Sequence, residues 1–290
     1  MFWQKLIGYG KLIDISNGGV KNMAKKSRIV LVAGSGSSHG SGAHEHPAGC
    51  AFLADQLNKF LDGVDAVVSQ GWPEDPAIFA NTDAIIVYSG GGEKHLSIPH
   101  LDQIDTLMAR GIGLAMLHFA VEVPKGKPGN CFLDWIGGYF EPGLSVNPYW
   151  TATFTEFPEH PITRGVQPFS LEDEWYYHMR FRDNMQGVTP VLSTIAPEST
   201  LERPDGPYSG NPHVRASVAK GEPQHLGWCV ERPDGGRGFG FTGGHYHLNW
   251  GDDQFRKFVL NGIAWTAKME VPDEGISTPT PTEAELNAYL

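Results

Sequence analysis

At 290 residues the chain has room for one large domain or two modest ones, and 40% hydrophobic against 19% charged residues excludes a disordered protein. Twenty-two Lys and Arg against 33 Asp and Glu leave a net charge of −11, a field that repels polyanions and argues against nucleic acid or anionic membrane as partners. The three cysteines, Cys50, Cys131 and Cys229, are too few and too far apart for a disulfide framework.

The amino terminus lacks a continuous apolar segment followed by a small-residue cleavage site, and no stretch approaches the ~18 apolar residues that span a bilayer. This reads as a cytoplasmic chain, with export left open if the true start differs. Met23-Ala-Lys-Lys directly precedes the first strand and resembles a start of its own. Residues 1–27 are therefore read as an extension without stable structure, residues 28–268 as the domain, and residues 269–290 as a Pro- and Thr-rich tail.

The first strand is Arg28-Ile-Val-Leu-Val-Ala, a β-branched apolar run of the kind buried on both faces. A loop of small residues and histidines follows, from Gly34 to His46, before Pro47 opens a helix with Cys50, Leu53, Ala54, Leu57 and Leu61 in helical register. Asp65-Ala-Val-Val-Ser and Asp83-Ala-Ile-Ile-Val-Tyr-Ser are the second and third strands. Pro99 begins a helix with Leu101, Ile104 and Met108 on one face and Gly111 as its terminator. Ile112 to Leu117 form a fourth strand ending at His118. This β-α-β-β-α-β order with continuous apolar strands predicts an α/β fold, its central, mostly parallel sheet flanked by helices. Additional short strands are expected at Trp150–Thr155, Pro190–Ile195, Leu226–Val230 and Gly238–Thr242, with a long excursion over residues 196–224. A helix around Phe255, Phe258, Val259 and Ile263 closes the domain, and Thr282-x-x-Glu285 marks a short capped helix in the tail.

Open parallel sheets bind ligands beyond the carboxyl ends of their strands. Histidines collect at three such ends: His39, His44 and His46 after the first strand, His118 after the fourth, and His245 and His247 after Gly238–Thr242. Imidazole with carboxylate is the donor set of zinc or another divalent transition metal, so His44, His46, His118 and His245 are candidate ligands, with zinc the first expectation. The alternative is proton transfer by His118 and His245 with Glu122 or Glu174. No Gly-x-Ser-x-Gly elbow supports a serine nucleophile. Asp173, Glu174, Trp175 and Tyr176 bring carboxylates beside aromatics, a composition suited to gripping hydroxyls and stacking on sugar rings; His247 is a further candidate contact. His160-Pro161 reads as a turn, and His95, His100, His213 and His225 receive no role. Gly34-Ser-Gly36 lacks the third glycine of a dinucleotide fingerprint, so no nucleotide is expected.

Six segments together resemble the ThuA-like, trehalose-utilisation family. They are His44-Glu-His46-Pro-Ala-Gly49, Gly111-x-Gly-Leu-Ala-Met-Leu-His118 and Ile136-Gly-Gly-Tyr-Phe140, then His160-Pro-Ile-Thr163, Asp173-Glu174-Trp-Tyr176 and Gly236-Arg-Gly-Phe-Gly-Phe-Thr-Gly-Gly-His245. The resemblance covers roughly residues 28 to 266. It implies a flavodoxin-like fold of the class I glutamine amidotransferase type, without that chemistry, because His118 stands where the cysteine nucleophile would. It also implies a role in carbohydrate metabolism, with some members linked to 3-keto disaccharides, and a metal on the histidine rim. Relatives often carry a histidine shortly after Gly-Gly-Tyr-Phe, where this chain has Glu141. The leading expectation is an enzyme acting on a keto-sugar or glycoside, as a hydrolase, lyase or isomerase. The alternatives are a non-catalytic carbohydrate-binding or sensing module and a partner subunit of a sugar oxidoreductase. The expected ligand is a small carbohydrate, and self-association is left open.

Overall fold

The computed structural model describes residues 13–14, 21–22, 25–35 and 41–290. The expectation for residues 1–27 falls mostly outside these; the described part holds a two-residue ladder of Ile13–Asp14 with Lys21–Asn22.

The unbroken apolar run at the first strand has the consequence expected of it. In β1 (Ser27–Ala33), Ile29 to Ala33 are all fully buried, and alternate residues face opposite layers. Ile29, Leu31 and Ala33 join one core cluster while Val30 and Val32 join the other, as the two-residue period of a strand requires. The chain then runs through α1 (His46–Phe60), β2 (Val64–Gln70), β3 (Ala84–Tyr88), α2 (Leu101–Met108), β4 (Gly113–Leu117) and α3 (Lys127–Ile136). A hairpin of β5 (Trp150–Phe154) and β6 (Phe169–Asp173) follows, then β7 (Val188–Ile195), α4 (Pro212–Ala219), β8 (Pro223–Glu231) and β9 (Arg237–Phe241). The closing helices are α5 (Asp253–Thr266) and α6 (Glu283–Asn287).

Seven strands form the main sheet in the order β7-β8-β9-β4-β3-β1-β2. The five from β9 to β2 are parallel to their neighbours, and β8 and β7 extend the sheet antiparallel at one edge. This is the doubly wound, flavodoxin-like arrangement with extra strands from the second half of the chain. On one face α1 and α5 bury Phe52, Leu53, Phe258 and Ile263; on the other α2 and α3 bury Ile104, Met108, Phe132 and Trp135. Gly113 permits the closest approach between layers, since a Cβ there would lie 2.1 Å from the Thr266 carbonyl of α5. Gly111 does take the left-handed conformation (φ 76°), but α2 ends at Met108 and Gly111 N donates to the Met108 carbonyl at 2.7 Å.

The Pro- and Thr-rich tail packs against the domain. Val271, Ile276 and Leu286 are buried in the same core as α1 and α5. Two buried residues of α5 secure it: Asn261 Oδ1 accepts from Ile276 N at 2.9 Å, and Arg256 Nε donates to Thr278 Oγ1 at 2.7 Å. The capping box at Thr282 and Glu285 forms as expected, and α6 packs beside the loop that carries His247. A composition rich in Pro and Thr does not reveal such docking, because a few apolar anchors supply it.

Phe241 lies at the centre of this core, its ring 5.6 Å from Trp175, 5.3 Å from Phe255 and 5.5 Å from Phe258. Phe241→Ala should destabilise the fold by about 3–5 kcal/mol, read as a fall in the urea midpoint at an unchanged slope. A midpoint equal to that of the parent chain would show that this cluster does not bear on stability.

Candidate functional site

The seven-stranded sheet places β4 at its centre, and His118 is the first residue beyond its carboxyl end. His118 sits at φ 53° and His44, in the loop after β1, at φ 54°. A non-glycine residue in the left-handed region costs roughly 1–2 kcal/mol, so the surrounding structure must hold both in place. For His44 the restraint is visible: its N–H donates to the His245 carbonyl at 2.8 Å, and Ala43 pairs with Tyr246 in an isolated bridge. His245 follows the Gly243-Gly244 turn after β9. Glu174 arrives from outside the main sheet, as the first residue past β6.

The four side chains converge. His44 Nε2 lies 3.0 Å from both His118 Nε2 and His245 Nδ1. Glu174 Oε2 lies 3.1 Å from His245 Nδ1, 3.5 Å from His118 Nε2 and 3.8 Å from His44 Nε2. All four donor atoms fall within 4.8 Å of one another, and all four residues are buried. A tetrahedral ion with bonds of about 2.1 Å would separate its ligand atoms by about 3.4 Å, a spacing that the five separations just given bracket. Three imidazoles and one carboxylate suit zinc and neighbouring divalent first-row metals.

The outer contacts fix which nitrogen faces inward. His118 Nδ1 donates to the Thr242 carbonyl at 2.8 Å, which leaves Nε2 as the free acceptor toward the cluster. His245 Nε2 meets Tyr149 Oη at 3.3 Å, with Nδ1 turned inward. Burial, reinforced by the nearby His118 and His245, holds the His44 imidazole down to about 4 against the opposing pull of Glu174, so it is neutral at pH 7, as a ligand must be. Burial pushes Glu174 the other way, but the close approach of the His118, His245 and His44 rings outweighs it and keeps the carboxyl well below the usual carboxylate range.

The structure separates the sequence candidates. His44, His118, Glu174 and His245 come together, while His46 lies outside the group and backs it: its ring stacks on His44 at 5.6 Å and its Nδ1 lies 3.3 Å from the Ser35 carbonyl. Trp175 cannot stack a sugar, because its ring is fully buried among Phe154, Phe241 and Phe255 and its Nε1 donates to the Leu171 carbonyl. Tyr176 is also buried, and serves the cluster instead: its Oη donates to Glu174 Oε2 at 3.2 Å and lies 3.3 Å from His118 Nε2. His247 faces away, its Nε2 donating to the Leu286 carbonyl under α6. Asp173 is a clamp rather than a substrate contact, accepting from Gly244 N and His245 N at 2.9 Å each. Glu141, standing where relatives often have histidine, is locked by Arg180 and by Tyr139 Oη. Cys50, Cys131 and Cys229 all lie away from the His118 position, and burial pushes the Cys229 thiol up to about 12. His160 Nδ1 accepts from Ile162 N and caps the expected turn.

Other residues at the site carried no sequence signal. Asn147, Phe119 and Tyr208 line, with the sequence candidates His44, Glu122, Glu174 and Tyr176, a cavity of about 140 Å³. A larger cleft of about 860 Å³ adjoins it through His44 and Phe119, and reaches the ends of β1, β2 and β3. Tyr149 and Tyr208 are 53% and 42% exposed, so their rings are open to a ligand. Tyr208 comes from the long excursion, which sequence composition marked only as irregular.

The fold defines a doubly wound α/β protein with His118 at the exit of its central strand. A family profile described as ThuA, trehalose utilisation, matches residues 32–266, and the chain belongs to that family. Solved structures agree on the fold. A ThuA-like protein from Bacteroides uniformis shares 15% identity over 87% of this chain and 95% of its own, with a TM-score of 0.57. Another, from Parabacteroides merdae, shares 13% identity over 88% and 98%, with a TM-score of 0.54. No curated protein matches the chain at a significant level. No helix among the described residues is long and apolar enough to cross a membrane.

Across the small cavity from the tetrad lies Glu122, buried, with Tyr208 Oη donating to its Oε1 at 3.3 Å. Burial pushes its carboxyl up to about 7, against the hydrogen bond from Tyr208 and with help from the charge of Glu174. A carboxyl that binds its proton more tightly folded than unfolded stabilises the fold below pH ~4.5 and loses that contribution as pH rises through 7. Metal-free wild type should therefore lose up to about 3 kcal/mol relative to Glu122→Gln between pH 4 and pH 8, read by urea melts at each pH. Parallel stability curves would place Glu122 in the ordinary carboxylate range.

Proposed function

We propose that this protein is a metal-dependent enzyme of carbohydrate metabolism, acting by proton transfer on a keto-sugar or glycoside. One observation carries the reading. A converging His44, His118, His245 and Glu174 tetrad faces, across a cavity of about 140 Å³, a carboxyl poised to titrate near neutrality. Family membership supports the substrate class through the description trehalose utilisation.

A divalent metal held by the tetrad would supply a Lewis acid for a substrate carbonyl or hydroxyl oxygen if it took that oxygen as a fifth ligand. The protein's own groups account for the rest. Glu122, with its carboxyl near 7, exists in both protonation states under working conditions and can take or return a proton at a substrate carbon or oxygen in the cavity. Tyr208 Oη orients that carboxyl. Tyr176 Oη and Asn147 Nδ2 each donate to Glu174, one per oxygen, and hold its plane. Phe119 and the exposed rings of Tyr149 and Tyr208 supply apolar faces for a sugar and limit the water around it. Proton abstraction beside a carbonyl, the step common to isomerase and lyase reactions of keto-sugars, is the chemistry this pairing of acid/base and electrophile suits best.

Elemental analysis of protein purified without an affinity tag should find about one zinc, manganese or iron per chain, lost in both His44→Ala and His245→Ala. The loaded protein, incubated with 3-keto disaccharides and followed by NMR, should change them chemically over hours, and Glu122→Gln should do so at least about a hundredfold more slowly. Metal-free wild-type protein, or full turnover in the histidine variants, would remove the metal-assisted mechanism. Sugar bound but unchanged would leave a binding module.

A further inference from the structure

Glu174 uses its two oxygens differently. Oε2 faces the three histidines, whereas Oε1 points away and accepts from Asn147 Nδ2 at 3.0 Å. Asn147 Oδ1 in turn accepts from Arg203 Nη2 at 2.9 Å, and Arg203 Nη2 also donates to the Tyr208 carbonyl at 3.0 Å. An amide between a carboxylate and a guanidinium has a single satisfactory orientation, NH2 toward the carboxylate and oxygen toward the cation. Asn147 is therefore locked at both ends. Its backbone N–H donates to the Tyr208 carbonyl as well, at 3.1 Å.

Arg203 itself belongs to the excursion between β7 and α4, and one side chain of α4 braces that segment at three points. Arg215 Nη1 donates to the Leu201 carbonyl and Nη2 to the Arg203 carbonyl, each at 3.0 Å, while Nε donates to Asp205 Oδ1 at 2.9 Å. The excursion is thus braced from outside the site by Arg215 as well as from within it by Asn147 and Glu122, and delivers a cation to one end of a polar chain that finishes on a candidate metal ligand.

We infer that Asn147 and Arg203 are positioning residues for Glu174: the Arg203–Asn147 pair fixes Oε1 and thereby holds Oε2 in line with the three imidazoles, so that residues 201–209 govern the metal affinity of the site. The inference rests on reading the tetrad as a metal centre. Outer contacts of this kind are worth about tenfold or more in metal affinity, and neither Asn147 nor Arg203 need touch the metal to exert the effect.

Cobalt(II) serves as the probe, because its visible absorption reports the number and arrangement of its ligands independently of turnover. Wild-type chain, freed of metal and titrated with cobalt, should bind about one equivalent. Asn147→Leu and Arg203→Met should bind it at least about tenfold more weakly with an altered visible spectrum, and Arg203→Lys should recover part of the loss. Arg203 is on the surface, so metal-free Arg203→Met should melt as wild type does, separating positioning from folding even if Asn147→Leu is unstable. Wild-type affinity and spectrum in Arg203→Met and Asn147→Leu would overturn the inference while leaving the metal centre standing. Failure of wild type itself to bind cobalt would overturn the metal reading, and the inference with it.

Discussion

One buried carboxylate, Asp173, joins the parts from which the site is made. It is wholly buried at the end of β6, which pairs only with β5 and contributes nothing to the seven-stranded sheet. Its oxygens accept from Gly244 N and His245 N in the turn after β9, from Glu174 N in its own strand's exit, and from Asn249 Nδ2. Burying a carboxylate is costly unless it is fully hydrogen-bonded, and here four charge-assisted bonds offset the loss of water. The consequence is positional. Residues 173 and 245 are locked together, so the next residue, Glu174, meets His245 at 3.1 Å although β6 and β9 share no ladder.

The tetrad built on this clamp is costly in a second way. His44 and His118 both occupy left-handed backbone conformations, and three imidazole nitrogens meet around one carboxylate oxygen with little access to water. Backbone strain and burial thus coincide at the same few residues. With His44 held neutral and Glu174 held ionised, the group brings three imidazole nitrogens and one negative charge to a single point. A divalent cation would satisfy such an arrangement directly.

Much of the fold was legible in the sequence because burial on both faces writes a continuous apolar run, and Ile29 to Ala33, Ala84 to Tyr88 and Leu114 to Leu117 are such runs. The rim was legible for a related reason: polar residues directly after those runs must lie beyond the strand ends, which placed His44, His118 and His245 correctly. Direction within an irregular segment was not legible. From Glu174 to His178 the chain has left β6, so no two-residue alternation tells which aromatic turns inward. Trp175 goes to the core, Tyr176 to the tetrad and Tyr177 to Thr200. The excursion was opaque for another reason. Its shape depends on Arg215 capturing three groups across 10 to 14 residues, a tertiary event with no periodic trace.

That misreading changes how the site would meet a sugar. Stacking needs a ring face open to the ligand, and Trp175 and Tyr176 have none. Tyr149 and Tyr208 do, and each is tied by its hydroxyl to a group of the site, Tyr149 to His245 and Tyr208 to Glu122. Tyr208 is further set by its ring lying nearly parallel to Phe140, 5.9 Å away. A ligand pressing on either ring would therefore act on the orientation of Glu122 or of a tetrad histidine. Under the proposed function, recognition and reactivity would share residues, so a sugar that fits the two rings poorly would lose rate as well as affinity, and discrimination would be exercised in the chemical step.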